Sequence, residues 1–291
     1  MTISLRNKIA IVTGASHGLG LEIARRYAEL GASLVLCARD PAALAQARTQ
    51  LAPQQADNQG IDAFAADVSN PSDVDRLVAH TLARFGRIDV LVNNAGIYGP
   101  MGAIEEVDWH DWVHAIEVNL LGSVLTARAV VPSMKARRAG KIIQLSGGGA
   151  TGPLPRISAY AASKAAIVRF AETLAAELKD FGIDVNSIAP GALNTRMLEQ
   201  VLEAGPDKVG AEFFERSAKQ KQTGGTELKL GVALAAFLAS DASNGITGKL
   251  ISAVWDDWKK WPEHAQQLAA SDAYTLRRVA GRDRGFAWGD R

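Results

Sequence analysis

Lys8-Ile9-Ala10-Ile11-Val12-Thr13-Gly14-Ala15-Ser16-His17-Gly18-Leu19-Gly20 is the stretch whose reading decides the fold. Its first six residues form a short, mostly apolar run of the kind that makes a buried strand, and a helical pattern follows from Leu21 to Leu30. Between strand and helix stand three glycines. Gly14 allows a tight turn, Gly18 lets the backbone approach a pyrophosphate, and Gly20 permits close packing of helix on strand. The helix N-terminus then offers unpaired N–H groups to phosphate oxygens. A purely structural turn is the competing reading of this segment taken alone.

Working outward, the alternation repeats. Residues 33–38, 61–66, 88–92, 141–146, 183–188 and 249–254 read as strands. Residues 41–51, 71–85, 109–134, 158–181 and 228–238 read as helices. Strands alternating with helices predict an α/β chain with a single doubly wound parallel sheet covered by helices on both faces. One domain is expected over residues 1–254, with 255–291 as a C-terminal extension. Ligands of such sheets lie beyond the carboxyl ends of the strands, where the strand order reverses.

Composition narrows the function. With 291 residues and 47% hydrophobic content the chain can bury a large core, and 32 basic residues nearly balance 31 acidic ones. The basic pairs Arg137-Arg138 and Lys259-Lys260 are too short for a polyanion-binding block, so neither nucleic acid nor a membrane is expected as partner. Cys37 is the single cysteine, which excludes an internal disulfide and a cysteine metal site; no metal is expected. Residues 1–8 lack the apolar core of a signal peptide, so the expected location is cytoplasmic.

The chemistry points to Ile157-Ser158-Ala159-Tyr160-Ala161-Ala162-Ser163-Lys164. In a helix Tyr160 and Lys164 share one face, placing a phenol beside an ammonium. Bringing a tyrosine from its usual pKa of about 10 to near 7 takes about 4 kcal/mol of preference for the phenolate, and a neighbouring cation acts in that direction. The plain alternative is a Tyr and a Lys on an ordinary amphipathic helix.

Four motifs together weigh against that alternative. Thr13-Gly14-x-x-x-Gly18-x-Gly20, Asn93-Asn94-Ala95-Gly96, Tyr160-x-x-x-Lys164 and Pro190-Gly191 occur in an order and spacing that resemble the short-chain dehydrogenase/reductase family, in its compact single-domain branch. The resemblance covers residues 5–254 and implies a Rossmann-type fold, a nicotinamide dinucleotide, and hydride transfer between that cofactor and a carbonyl or alcohol carbon. Tyr160 would exchange the proton, Lys164 would depress its pKa and hold the nicotinamide ribose, and Asn119 would hold a water in the proton path. It further implies cofactor contacts from Gly14, Ser16, His17, Gly18, Leu19, Gly20, Asn94, Ala95 and Gly96. Asp67 with Val68 would lie at the adenine, and Pro190, Gly191 and Thr195 at the nicotinamide. Homodimers and homotetramers are both common in such a family.

Leu36-Cys37-Ala38-Arg39-Asp40-Pro41 bears on the choice of nucleotide. NAD-selective relatives carry an acidic residue where Ala38 stands, and Arg39 offers a charged fork suited to a 2′-phosphate. Asp40 precedes a proline at a first helical position and reads as a helix cap. NADP (as NADPH) is therefore favoured, with NAD as the alternative.

The pattern breaks in one place. The family serine that bonds the substrate oxygen stands 13 residues before the tyrosine, and here that position is Gly147 in Leu145-Ser146-Gly147-Gly148-Gly149. Ser146 is one residue early and, on a regular strand, would face the opposite side. The glycines could bend the chain and bring Ser146 back to the site, or a glycine N–H could do the serine's work. Two functions follow. One is an NADP-dependent oxidoreductase of a small or medium carbonyl or secondary alcohol, with 3-oxoacyl-reductase-like chemistry within reach. The other is a nucleotide-binding protein with weak or no catalysis. Residues 193–226, interrupted by Gly205-Pro206, Gly210 and Gly224-Gly225, are expected to form a lid over the substrate. Trp255, Trp258 and Trp261 recur every third residue and are expected on one helical side, packing the extension on its own domain or on a neighbouring subunit.

Overall fold

The structure is a computed structural model that describes residues 3–52 and 59–288. Seven strands form one sheet in the order β3-β2-β1-β4-β5-β6-β7, and each neighbouring pair is parallel. They are β1 (Ile9–Thr13), β2 (Ser33–Ala38), β3 (Ile61–Ala65), β4 (Val90–Asn93), β5 (Gly140–Leu145), β6 (Ile183–Ala189) and β7 (Leu250–Ser252). After β3 the chain crosses back to lay β4 beside β1. That reversal opens a crevice at the carboxyl ends of β1 and β4.

The strands are apolar on both faces because helices cover both. Val12, Leu34, Val92, Ile143 and Ile188 pack with Ile23 and Tyr27 of α1 (Gly18–Glu29) and with α10 (Leu228–Ala239). Ile11, Leu91, Ile142 and Val185 pack on the other face with α3 (Pro71–Phe85), α5 (Gly122–Arg137) and α6 (Ser158–Leu178). α2 (Pro41–Leu51) and α3 start where the sequence predicts, and for a local reason. Asp40 accepts from the amides of Ala42 and Ala43, Asn70 accepts from those of Ser72 and Asp73, and a proline holds the first helical position of each.

Several boundaries differ from expectation. α1 begins at Gly18 and not Leu21, so Gly18 and Gly20 belong to the first helical turn. The long helix expected at 109–134 is α4 (Trp109–Ile116), a π turn at Glu117–Leu121, and α5. A π turn accommodates one extra residue in the helical path, and Asn119 sits within it. β5 ends at Leu145, leaving Ser146 just beyond the strand. Residues 193–226 fold as α7 (Arg196–Ala204), α8 (Pro206–Val209) and α9 (Ala211–Thr223), and a parallel bridge from Leu193 to Thr226 closes their base.

The three tryptophans do not share one side. Trp258 and Trp261 are buried in a 3-10 helix (Trp258–His264), with ring centroids 5.1 Å from Phe237 and 4.4 Å from Tyr274, whereas Trp255 is 87% exposed. Trp255 lies in the turn that precedes this helix. There Asp256 turns back to accept from the Ser252 amide at 2.7 Å, so the three-residue repeat straddles two backbone geometries. Further on, the tail returns along β7. Leu250 N donates to Tyr274 O at 2.8 Å, Lys249 Nζ donates to the carbonyls of Ser271 and Ala273, and Leu276 N donates to Glu172 of α6.

Candidate active site

The crevice starts at the glycine turn. Gly14 and Gly18 have positive φ, and a Cβ on Gly14 would lie 2.9 Å from Ala95 Cα. One on Gly20 would overlap the Gly14 carbonyl and the Asn94 amide. Asn94 is the brace: its Nδ2 donates to Thr13 O at 3.0 Å and Gly14 O at 3.1 Å. Thr13 Oγ1 in turn accepts from the amides of Asn94 and Ala95. Gly18 is different, since space opens from it as far as the Thr195 methyl at 3.9 Å. His17 precedes the helix without capping it, and no acidic residue occupies its first turn. The His17 ring pairs with Ser16 Oγ at 2.9 Å, and Leu19 is buried in the core. Room for a phosphate and an uncapped helix end fit a dinucleotide.

Arg39 is exposed at the end of β2, and its charge helps hold the Asp67 carboxyl below the usual carboxylate range. Burial pushes that group the other way, but hydrogen bonds from Ser69 N at 2.9 Å and Ser69 Oγ at 2.6 Å prevail. Val68 is buried against Gly122 of α5. Pro190 rests on Gly231 of α10, and Gly191, at φ +96°, leaves no room for a Cβ against Thr226 and Val254. Thr195 stands at the N-terminus of α7, with its methyl facing Gly18.

Lys164 is buried, and its Nζ donates to Leu145 O at 2.7 Å, lies 5.5 Å from the Tyr160 ring centroid, and sits 3.6 Å from where a Gly96 Cβ would be. Burial draws its pKa down to about 8. Tyr160 is also buried, and this desolvation raises its pKa, with the nearby Tyr98 adding in the same direction. Burial thus acts against the expected depression: removing water disfavours the charged form of each group. Asn119 has its side chain engaged within the fold: its Oδ1 accepts from Ile97 N at 2.8 Å, and its Nδ2 donates to Ile97 O and Ser163 Oγ, so it braces the Gly96 loop. Its backbone carbonyl accepts from Ser123 Oγ at 2.9 Å and retains a second lone pair.

Ser146 makes no hydrogen bond to Tyr160. Its Oγ is buried without a partner among the described residues, and alternation from Ile142 and Gln144 turns it toward α5 and α6. Gly147 stands beside Tyr160: a Cβ on it would fall on Tyr160 Oη and lie 3.4 Å from Cζ. Sequence reasoning missed Tyr98, whose ring centroid is 4.7 Å from that of Tyr160. Its place two residues after Gly96 is the only signal it offers. Among the described residues, no group of three His, Cys, Asp or Glu side chains is placed to hold a metal ion.

The chain resembles known proteins over most of its length. The family model described as short chain dehydrogenase matches residues 8–205. A Streptomyces violaceoruber protein assigned as ketoacyl reductase 1 of the granaticin polyketide synthase is 35% identical over 250 residues, covering 84% of this chain and 90% of the relative. The L-fucose dehydrogenase of Oryctolagus cuniculus is 33% identical over 237 residues, covering 81% and 80%. Among solved structures, an NAD+-bound xylitol dehydrogenase superposes with a TM-score of 0.78 at 28% identity, over 85% of this chain and 98% of that one. A variant actinorhodin polyketide ketoreductase with NADPH gives 0.76 at 29%, over 84% and 95%.

Proposed function

The chain belongs to the short chain dehydrogenase family, whose members here are NAD(P)-dependent enzymes, and from that membership we propose an NADP-dependent oxidoreductase acting on the carbonyl or secondary alcohol of a small or medium organic substrate. The observation that carries the reading is the buried Tyr160–Lys164 pair at the end of β5, against the Gly96 loop and across the crevice from the uncapped start of α1.

In this reading the glycine turn and the first amides of α1 hold the diphosphate, and Gly96 leaves room beside Lys164 for the nicotinamide ribose. The nicotinamide supplies or accepts the hydride. Tyr160 Oη donates a proton to the substrate oxygen in reduction and withdraws it in oxidation. Its raised pKa suits the neutral donor form, and Lys164 supplies the positive charge that steadies the phenolate left behind. Asn119 keeps the Gly96 loop and α6 in register, and its backbone carbonyl, which already accepts from Ser123 Oγ, would be its point of contact with a water.

NADP is preferred on two grounds. Arg39 is exposed at the end of β2 to bind a 2′-phosphate, and Ala38, not an acid, ends that strand; the Asp40 side chain is directed to the Ala42 and Ala43 amides as the cap of α2. For the substrate, the ketoacyl reductase relative and the polyketide ketoreductase neighbour support a 3-oxoacyl type, and the L-fucose and xylitol dehydrogenases make sugars and sugar alcohols the second class to test. We further propose a cytoplasmic homodimer or homotetramer, consistent with the single buried thiol of Cys37. Following nicotinamide absorbance with NADPH and NADH over a panel of 3-oxoacyl thioesters, aryl ketones and sugars tests the reading. Faster oxidation of NADPH with one carbonyl class is expected. Nucleotide binding without turnover of any carbonyl or alcohol would refute it.

A further inference from the structure

Resting on the oxidoreductase reading, we propose that the backbone N–H of Gly147 is the donor that holds the substrate oxygen beside Tyr160, and that residue 147 must be glycine because Tyr160 occupies the space of its side chain. Relatives of this type use a serine hydroxyl at this point. Here the main chain performs the task, and restoring the serine would obstruct it.

Three observations meet at this residue. First, Ser146 N donates to Ile188 O of β6 at 2.9 Å, and successive amides along an extended chain point to opposite sides. The Gly147 amide therefore points away from β6, toward the end of β4 and the loop that carries Asn94 to Gly96. No hydrogen bond to that N–H occurs among the described residues, although Gly147 is only partly exposed. Its carbonyl is already engaged by Ala150 N at 3.3 Å, in a turn whose third residue, Gly149, has φ +91°. A partly buried donor without a protein partner gains most from an incoming oxygen.

Second, the competing hydroxyl is turned away. Ser146 lies on the face of β5 that packs under α5 and α6, and it makes no hydrogen bond to Tyr160. Third, the atom that a Cβ at 147 would strike is Tyr160 Oη, the tip of a side chain and not backbone. The fold can absorb such a Cβ by swinging the phenol aside. The swing removes the acid from the place where the amide would present the oxygen, so the loss falls on catalysis and not on folding.

The experiment compares four proteins on the best carbonyl found for the wild type: the wild type, Gly147→Ser, Ser146→Ala, and a chain with glycolic acid at position 147, which replaces that one N–H by an ester oxygen. Circular dichroism and NADPH titration accompany the kinetics. Losing one such donor is expected to lower kcat about a hundred- to a thousandfold. The ester chain should show this loss with NADPH affinity unchanged, and Gly147→Ser should fall at least as far while remaining folded. Activity of the ester chain equal to that of the wild type would overturn the proposal. So would a gain in Gly147→Ser, or a loss in Ser146→Ala as large as that of the ester. An inert wild type that binds nucleotide would instead overturn the oxidoreductase reading, and this inference with it.

Discussion

Two glycine turns close the carboxyl edge of the sheet, one after β1 and one after β5, and the same small change would do different damage at each. A Cβ on Gly20 meets the Gly14 carbonyl and the amide of Asn94, which is itself bonded to Thr13 and Gly14. A Cβ on Gly147 meets only the end of Tyr160. The first turn is bounded by its own backbone and by a side-chain amide bonded to that backbone, and cannot yield without losing its shape. The second is bounded by a side chain that can rotate. Crowding of equal closeness therefore threatens architecture at one turn and chemistry at the other.

The contrast breaks most visibly at Tyr160. Tyr160→Phe is expected to lower kcat by about 10²–10⁴-fold, the usual weight of a positioned acid, while NADPH titration and thermal unfolding stay near wild type. A large fall in stability would show that the second turn is structural after all. Gly20→Ala sharpens the other side: overpacking of this kind costs about 1–3 kcal/mol, read by denaturant unfolding, and should weaken nucleotide binding in parallel. Unchanged stability and affinity would erase the distinction between the turns.

Arg39→Ala tests whether the first turn serves NADP. Removing a charge-assisted contact of about 1.5 kcal/mol should weaken NADPH roughly tenfold and leave NADH alone. A further effect lies in the pH dependence of stability. Lys164 has a folded pKa of about 8, against about 10.4 for an unfolded lysine. Between those values the unfolded chain binds more protons, so this group makes the fold more stable as pH rises from 8 toward 10 and adds nothing favourable below. Melting curves should show wild type gaining on Lys164→Met across that interval. Parallel curves would mean that Lys164 is better solvated than its burial implies.

Much of this was readable from the chain because the deciding signals are local. Asp40-Pro41 and Asn70-Pro71 mark helix starts by cap and fixed φ within a few residues, and the four-residue step from Tyr160 to Lys164 survives folding as one face of α6. What the chain did not announce depends on distant partners. The side chain of Asn119 is an instance: its amide is engaged by Ile97 and Ser163, 22 and 44 residues away, and no local spacing reports this. The opposing pull on Tyr160 comes from burial, which no spacing reports. The tryptophan period failed for another reason: an interval of three means one side only if a single helix carries it, and the helix begins at Trp258. Gly147 stood out as a departure from a pattern, but its contact with Tyr160 exists only once β5 and α6 are packed.

The tail bears on a hazard that every open sheet carries. β7 is a three-residue edge strand, and its outer side is met by the chain's own return, with Tyr274 O accepting from Leu250 N and Lys249 anchored to Ser271 and Ala273. An uncovered ladder edge invites pairing with any other extended chain. Residues 271–276 thus act as a built-in guard rail, so a protease cut just before them would leave the catalytic crevice untouched while making the protein prone to aggregate.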